Sequence, residues 1–245
     1  MAFFAYSSRN GYPPLIRYFQ LTVLLLSVGA AFWYDLFLSG TVASSPTILL
    51  LTPPLSLKSS FEIFTAPFLL LYPGTSLTLF FDLVVLNALV TPIYTFVLSF
   101  VGTRNFIRFV SGLILTGAAS FFLFTNLSPA LPCSLFSSLT LSIIVFWAML
   151  NSKGQSFFLL AFPISPLLYV SIAAGATLYP IFTNAEWAKL AATFVMILGT
   201  YFFAVLRYHL RSTIQFLSFF EEFLDRIGKN LYRFWQWHIL RLIRK

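Results

Sequence analysis

Charge is scarce in this sequence: only 9% of its 245 residues are Asp, Glu, Lys or Arg. Water-soluble domains carry about a quarter charged residues, so this chain cannot cover a globule of its size with polar surface. Cysteine is nearly absent as well. Cys133 is the single one, which excludes an intramolecular disulfide and any multi-cysteine zinc or iron–sulfur site. No P-loop, dinucleotide fingerprint or metal-ligand spacing occurs, so no cofactor is expected. Acids are few, 7 against 15 basic residues, for a net charge of +8. What is abundant is apolar: 59% of residues are hydrophobic and 31 are Phe, with a mean hydropathy of +0.88. The composition is that of an all-α protein embedded in a bilayer.

A helix needs about 20 mainly apolar residues to cross the hydrocarbon core. Punctuated by charges and prolines, six stretches qualify: 17–38, 75–101, 107–125, 132–151, 156–182 and 187–206. The first is too long for a removable signal segment and lacks a small-residue cleavage site, so it reads as a retained span despite the flanking Arg9 and Arg17. The longest connection, residues 39–74, contains Pro53-Pro54, Lys58 and Glu62 yet is itself apolar, as expected of a loop in the membrane interface. With the N-terminus inside, only Lys58 and Lys189 of the 15 basic residues fall on the opposite side. The positive-inside rule therefore gives an N-in, C-in topology with an even number of spans. Topology and attraction to anionic headgroups account for the basic excess, and a nucleic-acid partner is not needed. The expected organisation is an N-terminal segment 1–16, a membrane domain 17–206 and a basic tail 207–245. There is no fixed-period repeat and no low-complexity tract.

In the tail, Ile214, Leu217, Phe220, Leu224, Ile227, Leu231 and Phe234 recur every three or four residues, while Arg211, Gln215, Glu222, Arg226, Lys229 and Arg233 share the other side. That is an amphipathic helix. Trp235, Trp237, Arg241, Arg244 and Lys245 supply interfacial anchors and positive charge. Two uses fit the pattern: a helix floating on the inner leaflet, or one that docks a partner subunit through Leu217, Phe220, Leu224, Leu231, Trp235 and Trp237.

Ionisable groups within a span are costly and are treated first as functional candidates. Asp35, Glu186 and Lys189 fall near span ends and read as hydrated charges. Asp82 lies deeper, in Leu79-Phe80-Phe81-Asp82-Leu83, with Asn87 a turn further on. It must be protonated, hydrogen-bonded to a neighbouring helix, or set in a wet cavity; a lone acid does not form a proton relay. Gly112, Gly117, Ala118 and Ala119, and separately Ala173, Ala174, Gly175 and Ala176, are expected to let helices approach closely. Pro92, Pro163, Pro166 and Pro180 are expected to kink or end spans. Asn126-Leu127-Ser128 is a glycosylation sequon on the non-basic side.

Several short motifs resemble the rhomboid superfamily, and within it the derlin branch. Pro14-Leu15-Ile16-Arg17-Tyr18 resembles the derlin entry to span one, and Phe61 to Phe68 sits where derlins have W-R-P-x-T-x-x-F. Tyr72-Pro73-Gly74-Thr75 is similar to their approach to span two, with Asp82 where the family places Asn. Phe146-Trp147-Ala148-Met149-Leu150-Asn151 resembles V-x-x-W-A-Q-L-N of span four, and Gly199-Thr200-Tyr201-Phe202-Phe203 resembles G-H-L-Y-F-F of span six. The resemblance covers residues 13–208 and implies a six-helix rhomboid-like bundle followed by the C-terminal amphipathic helix. Active rhomboids are serine proteases with a G-x-S-G motif in span four and a histidine in span six. Here span four has Ser134, Ser137, Ser138 and Ser142 but no glycine, Thr200 stands at the histidine position, and His209 and His238 lie beyond span six. A Ser–His dyad is not expected, and the chain reads as a pseudoprotease rather than an enzyme. Phe61-Glu62 replaces the Trp-Arg pair, and the tail lacks the Gly-rich ATPase-recruiting motif that derlins carry.

The leading expectation is a non-catalytic, derlin-like structural or accessory subunit of a larger membrane complex, in contact with membrane lipids and other membrane-protein subunits. The mitochondrial inner membrane is favoured over the endoplasmic reticulum. The alternative is a derlin-type factor that binds or retrotranslocates membrane clients, with Asp82, Asn87 and Thr200 as candidate polar or cavity residues. A transporter is disfavoured, because the spans hold too few polar groups to line a path.

Overall fold

The computed structural model describes residues 13–38, 65, 90–125, 134–151, 157–159, 162–210 and 218–243. Among them are seven helices and one small hairpin: α1 (Pro14–Leu38), α2 (Thr91–Val101), α3 (Thr103–Thr125), α4 (Phe136–Leu150), β1 (Phe157–Leu159), β2 (Phe162–Ile164), α5 (Pro166–Thr183), α6 (Trp187–Tyr208) and α7 (Ser218–Ile243). Helices α1, α3, α5 and α6 are long and apolar enough to cross a membrane, whereas α2 has 11 residues and α4 has 15. This is consistent with an integral membrane protein.

Local chemistry sets the helix ends. Gly102, at φ 81°, separates α2 from α3 in a conformation that strains a residue bearing a Cβ. Helix α3 consequently begins at Thr103, four residues before the expected 107, and carries Arg104 and Arg108 in its first two turns. Asn151 ends α4 through its backbone N–H, which donates to the Ala148 and Trp147 carbonyls, while its side chain donates to the same Trp147 oxygen at 2.8 Å. Helix α6 closes on His209 in the left-handed conformation, with the His209 and Leu210 N–H groups donating to Val205 and Ala204.

The expected fifth span, 156–182, needs correction. Residues 157–159 and 162–164 pair as the antiparallel strands β1 and β2, and α5 starts only at Pro166. Pro163 in β2 cannot serve a helix interior, Ser165 caps α5 by accepting from Leu168 N–H at 3.2 Å, and Pro166 suits the first helical turn. Pro92 likewise opens α2. Pro180 stays inside α5 near its end and does not break it.

Helix α4 is the axis of the bundle. Leu139, Ile143, Phe146 and Trp147 are buried, as are Ser138 and Ser142, because α2, α5 and α6 all pack against it. The most extensive interface joins α3 and α6. Phe109 stacks on Phe203 at 4.5 Å, Leu113 faces Gly199, and Met196 fits over Gly117, so the two helices run antiparallel. A Cβ at Gly117 would sit 2.5 Å from Met196 Sδ, which shows how close the backbone of α3 comes. Lipid tails are as apolar as Leu, so such contacts hold by dispersion and fit rather than by escape from water. The expectation of close approach holds for Gly117 and for buried Ala118. It fails for Gly112 and for Gly175 of α5, which have open space around them, and for the exposed Ala119 and Ala176.

Phenylalanine builds the end of the bundle at which α3 begins and α6 ends. Phe146 and Phe203 lie about 6 Å apart and each is within 6 Å of both Phe109 and Tyr208, and Phe100 of α2 joins at 5.4 Å from Tyr208. Such edge-on and stacked pairs contribute about 0.5–1.5 kcal/mol each beyond area burial. Helices α1 and α5 are peripheral. In α5 only Pro166, Tyr169 and Ile181 are buried, and Leu167, Ile172, Tyr179 and Phe182 point outward. Exposed faces of that size are tolerated where lipid covers them.

Candidate functional site

Neutral polar contacts link the helices across the bundle. Gln20 of α1 donates to Thr91 Oγ1 of α2 at 3.1 Å, and Phe19 stacks on Tyr94. Tyr94 shares a 3.4 Å hydrogen bond with Thr140 of α4. Two residues earlier in α4, Ser138 Oγ lies 2.7 Å from Thr193 Oγ1 of α6, both fully buried. Thr193 spends its one proton on the Lys189 carbonyl at 2.8 Å. Ser138 is therefore the donor in the pair, and the Thr193 oxygen the acceptor. Ser142, one turn on, donates to the Ser138 carbonyl.

The direction of that bond decides its chemistry. A serine becomes a nucleophile when a base within hydrogen-bond reach takes its proton. Ser138 instead offers its proton to a neutral alcohol, a far weaker base than imidazole or carboxylate. The geometry is that of an interhelical clasp. Thr200 is buried between helices, and its Oγ1 has no hydrogen-bond partner among the described residues. It lies seven residues, about two turns, beyond Thr193 on the same helix. Ser120 Oγ and Tyr208 Oη are also buried without a partner among those residues.

No family model, curated protein or solved structure matches this chain. The site is therefore read from its own geometry.

Helix α7 forms the second polar region. Its first turns cross the end of α6: Phe220 meets Phe202, Gly228 abuts Leu206, and Tyr201 Oη donates to Glu221 Oε1 at 2.9 Å. Glu221 is buried although it is ionisable. The sequence pattern offered the apolar face of α7 to lipid or to a partner subunit, and the face against α6 is Glu221, Leu224 and Gly228. Leu224 is buried against the rest of this chain, and Phe220 is 42% exposed. Phe219, Phe223 and Ile227 form an uncovered ridge on another side. Sequence periodicity missed Glu221 and Tyr201; a carboxylate one turn before a Leu–Gly contact is too common a pattern to flag.

At this junction two side chains hold the Asp225 carboxylate, His209 Nδ1 through one oxygen and Lys229 Nζ, at 2.7 Å, through the other. The Lys229 hydrogen bond, aided by His209 and opposed by partial burial, holds the Asp225 carboxyl below its ordinary value. At the opposite end of α6, Glu186 pairs with Lys189 at 3.1 Å. Among the described residues no group of three His, Cys, Asp or Glu could hold a metal ion.

Asp82, Asn87 and Leu217 lie outside the described residues, as do the sequon and Cys133. Leu231, Trp235 and Trp237 belong to α7, but their side chains are not among those described.

Proposed function

We propose that this chain is a non-catalytic, rhomboid-like integral membrane protein of the derlin type, serving as a structural or accessory subunit of a larger membrane complex. One observation carries the reading: the buried side-chain hydrogen bond between α4 and α6 is the Ser138–Thr193 clasp, a hydroxyl donating to a hydroxyl. In a rhomboid protease the corresponding helices carry the nucleophile and its base. Here His209 is occupied with Asp225 beyond the end of α6. Thr200, at the position that the resemblance assigns to the histidine, offers no base either.

In this proposal α1, a second span ending in α2, and α3 to α6 make six crossings, with both termini on the basic side. The antiparallel packing of α3 on α6 supports that orientation, since it gathers Arg104, Arg108 and Arg207 at one end and leaves Lys189 at the other. The mitochondrial inner membrane is the proposed location. The broad apolar flanks of α1 and α5 suit partner helices or lipid equally.

Mild-detergent extraction of the native membrane, followed by size separation and mass spectrometry, tests the proposal. Stoichiometric migration of the 27.8 kDa chain with subunits of a respiratory or ATP-synthesising complex is expected. Recovery with ubiquitin ligases or an AAA ATPase would overturn it in favour of client handling.

A further inference from the structure

Where α7 crosses the end of α6, a recess of about 260 Å³ is lined by Leu206, Arg207, His209, Gly228, Lys229 and Arg233. We propose that this recess binds the phosphate of an anionic phospholipid headgroup. The site is built by a close backbone approach: a Cβ at Gly228 would lie 3.1 Å from the Leu206 carbonyl oxygen, so glycine there brings Lys229 and Arg233 of α7 beside Arg207 of α6. Asp225 is the neighbouring acid, and its two oxygens are already taken by His209 and Lys229. Arg207 and Arg233 have no ion-pair partner among the described residues, which leaves two guanidiniums facing one concavity. A planar fork of N–H donors matches phosphate oxygens, and two of them provide more than one charge-assisted bond.

Phosphate chemistry alone does not distinguish a lipid from a free anion; the surroundings do. The recess lies at the end of a helix long and apolar enough to span a bilayer, where headgroups are found. On the same helix that supplies Lys229 and Arg233, Phe219, Phe223 and Ile227 are exposed and offer acyl chains an apolar face. The inference needs only that α6 end at a membrane face, and not that the protein be a complex subunit, so the two proposals fail separately.

The test uses the full chain, delipidated in neutral detergent and titrated with phosphatidylglycerol in phosphatidylcholine nanodiscs, with retained lipid counted by native mass spectrometry. Arg207 and Arg233 are probed as the double substitution Arg207→Gln/Arg233→Gln, with Arg104→Gln/Arg108→Gln as a control of equal charge change on exposed residues at the same end. The recess variant is expected to retain phosphatidylglycerol at least about tenfold more weakly, the effect of losing a charge-assisted hydrogen bond, and the control to stay within about twofold. Both should keep the wild-type thermal midpoint, since all four side chains are exposed. Equal loss in both variants would overturn the site in favour of diffuse attraction. Displacement of the lipid by millimolar inorganic phosphate or glycerol 3-phosphate would overturn the lipid as its occupant.

Discussion

Replacing Gly117 by Ala tests whether α3 and α6 are as tightly seated as described. In the middle of a helix, Gly to Ala gains about 0.5–1 kcal/mol from backbone entropy. At Gly117 the new methyl would lie 2.5 Å from Met196 Sδ and 2.9 Å from its Cγ, so the thioether must move within a filled interior. Overpacking of that kind costs about 1–3 kcal/mol. The net expectation is a destabilisation of up to about 2 kcal/mol, softened because Met is flexible. Gly112, five residues earlier in the same helix, has nothing within 4 Å of its ideal Cβ, so Gly112→Ala should stabilise by the full entropic gain. Met196→Ala alone should cost about 2–5 kcal/mol. Combined with Gly117→Ala it should cost less than the sum, with a coupling of about 0.5–3 kcal/mol, because the added methyl occupies part of the vacated space. Reversible unfolding in mixed SDS and neutral-detergent micelles, followed by circular dichroism, measures all four. Gly117→Ala stabilising the protein as much as Gly112→Ala would refute the packing argument.

Ser138→Ala and Thr193→Val should each destabilise by about 1 kcal/mol, with a coupling no larger than about 1.7 kcal/mol, the range of interhelical hydrogen bonds in membranes; a double-mutant cycle in the same assay measures it. Thr200→Val keeps the shape and removes a buried hydroxyl without a partner, so the unfolding midpoint should hold or rise. A fall would mean that Thr200 has a partner outside the described residues. The Asp225 carboxyl is lowered from its ordinary 3.8 in the folded state, so its contribution is present above that value and is lost as pH falls through the lower folded value. Because the pair is largely solvated, the loss should be within about 1 kcal/mol. It should appear below pH 4 as faster hydrogen exchange at residues 218–230, corrected for intrinsic rates, and be absent in Asp225→Asn.

Hydropathy made the long helices legible because a span must be continuously apolar. That rule placed α1, α3 and α6 within a few residues, and misplaced α5 because Phe157 to Ile164 are as apolar as a helix while Pro163 and Pro166 forbid one. Which face of a membrane helix meets protein is much harder to read, since lipid and partner ask for the same residue types. Gly117 and Gly175 look alike in sequence, and only the first is packed. For the same reason the Ser138–Thr193 clasp was hidden: both are ordinary hydroxyl residues 55 positions apart. In α7 the apolar period was visible, but a buried Glu221 satisfied by Tyr201 shifted the contact to one edge of the expected face.

The pairing of α3 with α6 also bears on how the protein is made. Leu113 waits for Gly199 and Gly117 for Met196, partners that are synthesised about 80 residues later. At the usual pace of translation this is roughly 4–16 seconds. Throughout that interval α3 stands with its most shape-specific face open, while α4 and α5 are still being made. A nascent chain stalled before Trp187 would display that unfilled groove to the insertion machinery and to membrane quality control, so the completion of α6 is the step that ends its vulnerability.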